Sequence, residues 1–449
     1  MFPGLLGKPV RTVFDEPDST SDGGALLLKA ADRKLGLTAA LAGGLVETRT
    51  ADRVTHTLHD LLRQRIYGLA LGYEDANDAA RVGADPMQKL LLDRDPLTGA
   101  PLASQPTLSR FENGVSRAAL LRMSQRLATA QLRRLRARRK NRAPKRITID
   151  MDVTDDATHG QQQLAFFHGH YDTWCYLPLL AFVTLDDEPE NYLVAAVLRS
   201  GRAHPKHGAI GVLRRVIAAV RRFFPRVRVR VRLDGGFAAP EVLAFLDAQK
   251  VEYVVGLPKN ERLIHLTADA QQQARDEYEE HGYPRAVFAE TAYAARSWHG
   301  HERRVIAKAE VTVAAGRAPK DNPRFVVTNL RHRPDNVYAI YCQRGEIENR
   351  IKELKAGLAM DRTSCTSFWA NQLRVLLAAA AYVLLQELRT RLRGTRLARA
   401  QVERLRLALL RIGGRITRSV RRIVVHLTAS HPWQPPWTRV AVALGADRV

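Results

Sequence analysis

Four acidic residues stand where a carboxylate could do chemistry. Asp150 and Asp152 alternate with apolar residues in Ile147-Thr148-Ile149-Asp150-Met151-Asp152-Val153, so both acids share one face of a predicted strand. Like charges on one strand face repel, which a simple strand-end turn does not account for. Asp234 closes a second predicted strand, 226–233, and is followed by Gly235 and Gly236, a pattern that also makes ordinary turns. Glu348 shares a predicted helix, starting near Val337, with Tyr341, Arg344 and Lys355. These four fall within an arc of roughly 60°. Ile347, Ile351, Leu354 and Leu358 form a neighbouring stripe that can be buried. A solvated face with intrahelical ion pairs is the alternative, and it explains Tyr341 less well. Three or so carboxylates meeting at one point could hold two divalent cations, one activating a nucleophile and one stabilising a leaving oxygen in phosphodiester cleavage. Magnesium keeps several of its waters, so few protein ligands suffice.

These positions need a scaffold. Apolar, β-rich stretches at 147–153, 174–185, 192–198, 226–233, 252–257 and 324–330, with a helix at 208–224, predict an α/β fold built on a mixed sheet. Helical spacing at 25–41, 56–71 and 119–132 predicts a helical N-terminal region, 1–145. Within it, 104–112 has the form of a recognition helix, with Ser104 as N-cap, Pro106 in the first turn and Arg110 as a candidate DNA contact. An ordinary surface helix reads equally well. The basic run 133–146 is a candidate phosphate contact or a solvated linker. Segment 263–322 is charged and Gln-rich before short alternating stretches, and reads as an insertion. The region from 366 to 449 is helical and basic.

Composition narrows the partner. The chain has 449 residues, 45% of them hydrophobic, and a formal net charge of +24, so a folded core with a polyanionic partner is expected, nucleic acid first. Residues 1–8 lack a signal-peptide pattern, and the longest apolar run, 375–385, is short for a membrane span and reads as a buried helix. No membrane partner is expected. Three dispersed cysteines, Cys175, Cys342 and Cys365, fit a reducing cytoplasm and no disulfide framework. His168 and His170 with Cys175, and His56 with His59, lack the further ligand pair that zinc would need. No Gly-Lys-Ser/Thr loop is present, so ATP-driven action is not expected.

The Tyr-x2-Arg-x3-Glu-x6-Lys pattern of Tyr341, Arg344, Glu348 and Lys355 resembles the signature of insertion-sequence 4-like transposases. Asp152-Val153-Thr154 and Asp234-Gly235-Gly236-Phe237 resemble two further elements of that superfamily, which favours Asp152 over Asp150. Segments 21–26, 104–112, 159–162, 361–365 and 371–374 resemble, more narrowly, the insertion sequence 1380 family. The resemblance implies an RNase H-like core in two parts, 146–262 and 323–365, around a β-rich insertion at 263–322, flanked by the helical N-terminal and basic C-terminal regions. It implies a metal-dependent transposase with Asp152, Asp234 and Glu348 as catalytic and metal-binding triad, two Mg2+ or Mn2+ ions, and no covalent intermediate. The partners implied are the terminal inverted repeats and target DNA, with a homodimer on paired ends, in a bacterial cytoplasm at the nucleoid. Tyr341, Arg344 and Lys355 would grip DNA. Some relatives stack a tryptophan on an extruded base; the matching position here is Phe325, with Trp298 as an alternative stacker. A non-catalytic DNA-binding regulator with the same fold is the second reading, and an RNase H-like nuclease without strand transfer is the third.

Overall fold

A computed structural model describes residues 10–139, 142–186, 188–313 and 316–447. The described chain divides into two compact units, one from 10–34, 49–110 and 384–447, the other from 35–48 and 111–383.

The larger unit is built on an eight-stranded sheet. In spatial order its strands are Val287–Tyr293, Arg303–Ala309, Arg324–Thr328, Glu252–Leu257, Arg228–Leu233, Arg146–Val153, Leu179–Leu185 and Tyr192–Val197. Arg228–Leu233 lies between Arg146–Val153 and Glu252–Leu257 and is parallel to both; the other pairings are antiparallel. This is a mixed α/β arrangement, consistent with an RNase H-like transposase domain. Alternation in Arg228–Leu233 sends Val229, Val231 and Leu233 into the main core and leaves Arg230 and Arg232 on the opposite face. The helix Ala209–Phe223 buries Val212, Leu213, Val216, Ile217 and Val220 at three- and four-residue spacing against that core.

Segment 263–322 departs from the expected β-rich insertion. Its first part holds a helix, Ala268–His281, rich in Ala, Gln and Glu and free of β-branched residues. Its two long strands, Val287–Tyr293 and Arg303–Ala309, extend the central sheet through pairing of 304–308 with 324–328. The basic run also differs from a solvated linker. The helix Arg117–Arg138 continues into it, and Arg138 and Arg139 bond to Glu188 and Asp186 while Arg134 lies over the Tyr192 ring at 5.5 Å. Those guanidinium groups are committed inside the protein. Lys140 and Asn141 of the run lie outside the described residues.

The smaller unit combines chain ends that the sequence reading kept apart. Ser19 and Thr20 pair with Arg415 and Gly414, adding a strand to the hairpin of Gly414–Arg418 and Ile423–Leu427. Arg411 donates to the carbonyl of Leu71 at 2.8 Å. Helix Phe368–Arg391 contains the apolar run 375–385. It is long and apolar enough to cross a membrane, yet 89% of its most apolar window is buried within the protein.

Candidate active site

The parallel register decides where the first two acids emerge. Asp150 stands opposite Arg232 and Met151 opposite Leu233, so Asp152 and Asp234 follow at adjacent strand ends, where neighbouring backbones lie about 4.8 Å apart. Asp150 does not share that outlet. It is fully buried, and Arg232 donates to both its oxygens, at 2.6 and 2.7 Å. Asp234 caps the turn that follows its strand, accepting from the Gly236 N–H at 2.9 Å.

Gly256, on the neighbouring strand, keeps this corner open. A Cβ there would stand 2.6 Å from the Tyr341 hydroxyl and 2.8 Å from the Gly235 nitrogen.

The expected single helix is two. Tyr341 ends Pro334–Cys342, Arg344 stands at the join, and Glu348 and Lys355 lie on Gly345–Leu358. The join is wound tightly: the Arg344 N–H donates to Tyr341 and the Ile347 N–H to Arg344, each three residues back and each at 3.0 Å. Gly345, a poor helix former, sits at that point. The break turns the Arg344 guanidinium to bridge two acids. It donates to Asp152 Oδ2 at 2.6 Å and to Glu348 Oε1 at 3.3 Å. Arg232 supports the join from below, donating to the Ile340 carbonyl at 2.9 Å and to Gln343 Oε1 at 3.0 Å.

Charge at the site follows burial. Burial pushes the Asp152 carboxyl up to about 6; Arg344 opposes the rise and the nearby Asp234 adds to it. Glu348 is more than half exposed. Lys355 donates to Asp155, to its carbonyl at 3.0 Å and its carboxylate at 2.9 Å, and that cation outweighs burial to hold the Asp155 carboxyl below its ordinary value. Behind it, burial pushes Asp156 up to about 8, although Thr363 donates to its Oδ1 at 2.8 Å.

Acids from two adjacent strand ends and one helix thus surround a single guanidinium, on the sheet of a strongly basic chain. Over residues 2–447 the chain matches the family model described as Transposase DDE domain group 1. The chain belongs to that family. No curated protein matches it. The family carries nuclease and transferase activity on DNA, so the acids, rather than a cavity elsewhere, are the candidate catalytic groups of this transposase-family chain.

The donor set is anionic and all oxygen, the kind that Mg2+ and Mn2+ take. Among the described residues no group of three His, Cys, Asp or Glu is gathered closely enough to hold a metal ion. Between Asp152 and Glu348 the positive charge is the Arg344 guanidinium, which occupies one oxygen of each.

Other expected residues lie elsewhere. Phe325 is 3% exposed within the main core, paired with Ala307 and Leu257 on the flanking strands, so it offers no face to a base. Trp298 is also 3% exposed, edge-on to Tyr293 at 5.4 Å with Arg303 over its ring. Both stacking assignments are therefore corrected: these rings are core. Arg110 is exposed on Gln105–Asn113, where it donates to Thr107 at 3.3 Å. His56 is bonded to Arg94 at 2.7 Å. Arg232, Asp155, Asp156, Thr363 and Gly256 were missed. The acid pair Asp155-Asp156, directly after Asp152-Val153-Thr154, was the one visible signal among them.

Proposed function

We propose that this protein is a cut-and-paste transposase of the insertion sequence 1380 family, cutting and rejoining the ends of its element. The observation that carries this reading is the placement of Asp152, Asp234 and Glu348 around Arg344 in a chain of the DDE family. Asp152 and Asp234, with Glu348 once Arg344 has moved aside, would hold two Mg2+ or Mn2+ ions. Bound there, the ions would supply Lewis acidity to a scissile phosphodiester and a more acidic water or 3′-hydroxyl.

The chain's own residues do the positioning. Buried Asp152 and Asp234, which caps its own turn, would fix two ligands at adjacent strand ends. Arg344, released from its acids, is placed to bind a phosphate oxygen of the cleaved strand. Tyr341 brings its hydroxyl close against Gly256 beside these acids. Terminal inverted repeats and target DNA are the substrates, in a bacterial cytoplasm, with a homodimer on paired ends.

The test is nicking of duplex carrying the element's terminal repeat, with Mn2+ or Mg2+, by the native chain and by Glu348→Gln. The native protein should nick only with metal. The variant should lose about two orders of magnitude or more, as several kcal/mol of charge stabilisation implies. Equal nicking by the two proteins removes Glu348 from the reaction. Metal-independent binding without nicking by either leaves the DNA-binding regulator.

A further inference from the structure

With Phe325 and Trp298 buried, Phe167, Tyr171 and Trp174 are exposed aromatic rings that belong to one hairpin. The small sheet of Asp156–Ala157, Thr173–Tyr176 and Phe166–His168 leaves the main sheet directly after Asp152. In it Phe167 stands opposite Trp174 on antiparallel strands, so both side chains share one face. Phe167 is 52% and Trp174 56% exposed. Alternation sends their neighbours Phe166 and Cys175 to the other face, where Cys175 is fully buried and Arg202 covers the Phe166 ring at 4.1 Å. One side of the hairpin is thus packed and the other is an open aromatic pair.

A cavity of about 570 Å³ adjoins Trp174, lined also by Thr158, His159 and Gln162. The Gln162 side chain donates weakly to the Thr363 carbonyl at 3.4 Å, while its Oε1 is buried and accepts no hydrogen bond. Such an acceptor is costly unless a donor meets it. Thr158 is bonded to the Trp174 carbonyl through both its N–H, at 2.8 Å, and its hydroxyl, at 3.0 Å, which ties the cavity wall to the aromatic strand. Five residues lie between Asp152 and Thr158, so the cavity rim lies within about 20 Å of the acid site. Tyr171 stands at the hairpin turn, where its N–H donates to the His168 carbonyl at 3.1 Å.

Resting on the reading of this chain as an enzyme of DNA ends, we propose that the Phe167–Trp174 face and the cavity beside it bind unpaired bases of a DNA strand next to the acid site. Flat rings stack on the faces of bases, whatever the sequence, and a basic protein supplies the attraction for the backbone. A paired duplex cannot offer its base faces to the platform, so recognition there is selective for unstacked DNA.

The experiment measures binding of the full-length chain to a labelled single strand and to the matching duplex, by fluorescence anisotropy in chelator. Since no cleavage is read, failure here is separate from failure of the catalytic assignment. Trp174→Ala and Phe167→Ala should each weaken single-strand binding by about 5- to 150-fold, the range measured for one stacked base, and leave duplex binding within about twofold. Trp174→Phe should retain most of the affinity. Unchanged single-strand affinity in both alanine variants overturns the proposal, as does an equal loss for strand and duplex. Loss of self-association in light scattering with unchanged strand affinity also overturns it, and assigns the face to a second copy of the chain.

Discussion

Arg232 grips both oxygens of Asp150, at 2.6 and 2.7 Å, while its other nitrogen reaches the join before Gly345–Leu358. Asp150 and Asp152 share a strand face, yet the pairing divides their work. Asp150 neutralises a buried cation, and Asp152 is left at the edge of the acid site. Breaking a buried ion pair by removing one charge typically costs about 3–5 kcal/mol. Asp150→Asn should therefore lower the urea midpoint of unfolding strongly. Asp152→Asn should change stability by less than about 1 kcal/mol, because burial already disfavours its charge, and should abolish nicking. Denaturation curves and nicking assays on the two variants check this. Equal stability would show that Asp150 is not a structural acid.

Lys355 was expected on phosphate and is found on Asp155, at 2.9 Å and with partial exposure. An ion pair so exposed adds little stability, about 0–1 kcal/mol, so DNA can compete for the lysine. Asp155→Asn removes the competing charge and should tighten duplex binding. The slope of log affinity against log salt should steepen by about 0.9, one further phosphate neutralised. Lys355→Ala removes that same single contact, so its slope should be about 0.9 shallower than that of Asp155→Asn. Titrations at several salt concentrations read both slopes, and parallel lines for all three proteins would mean that Lys355 never reaches DNA.

Phe325 makes the contrary case. Its ring fills the core between the Glu252–Leu257 and Arg303–Ala309 strands. Phe325→Ala should cost about 3–5 kcal/mol of stability through the cavity it leaves. Measured below its lowered melting temperature, its single-strand affinity should match that of the native chain. A selective loss of strand binding in a fully stable variant would return the residue to the DNA.

What was legible in the sequence is what periodicity and local chemistry write there. Strand Glu252–Leu257 has the predicted bounds, and helix Ala209–Phe223 lies inside its predicted segment, because alternation and three- to four-residue spacing report buried faces directly. The one-helix reading of 341–355 failed because a periodicity argument assumes unbroken winding, and Gly345 with a tight join resets the phase. The role of Asp150 was not legible, since its partner Arg232 is 82 residues away and only the parallel register brings them together. Phe325 failed for a related reason: matching a position to a family pattern does not say whether the ring faces solvent or core. The open aromatic pair of Phe167 and Trp174 depends on a cross-strand register that sequence leaves undetermined.

Asp156 carries the last prediction. It is fully buried beside the acid site, its Oδ1 accepts from Thr363, and its Oδ2 is buried without a hydrogen-bond partner. Burial pushes its carboxyl from the ordinary aspartate value of about 4 up to about 8. Between those two values the folded chain holds this proton while the unfolded chain has released it. The folded state then binds more protons, so this group's contribution to stability falls as pH rises through the window and levels off above about 8. Asp156→Asn keeps the shape and cannot ionise. The variant should melt within about a degree of the native chain near pH 4, and several degrees higher near pH 8.5, with the gap opening steadily between. Calorimetric scans across that range decide it. A gap that is constant with pH would mean that Asp156 is charged in the folded protein, and that an unseen donor meets its second oxygen.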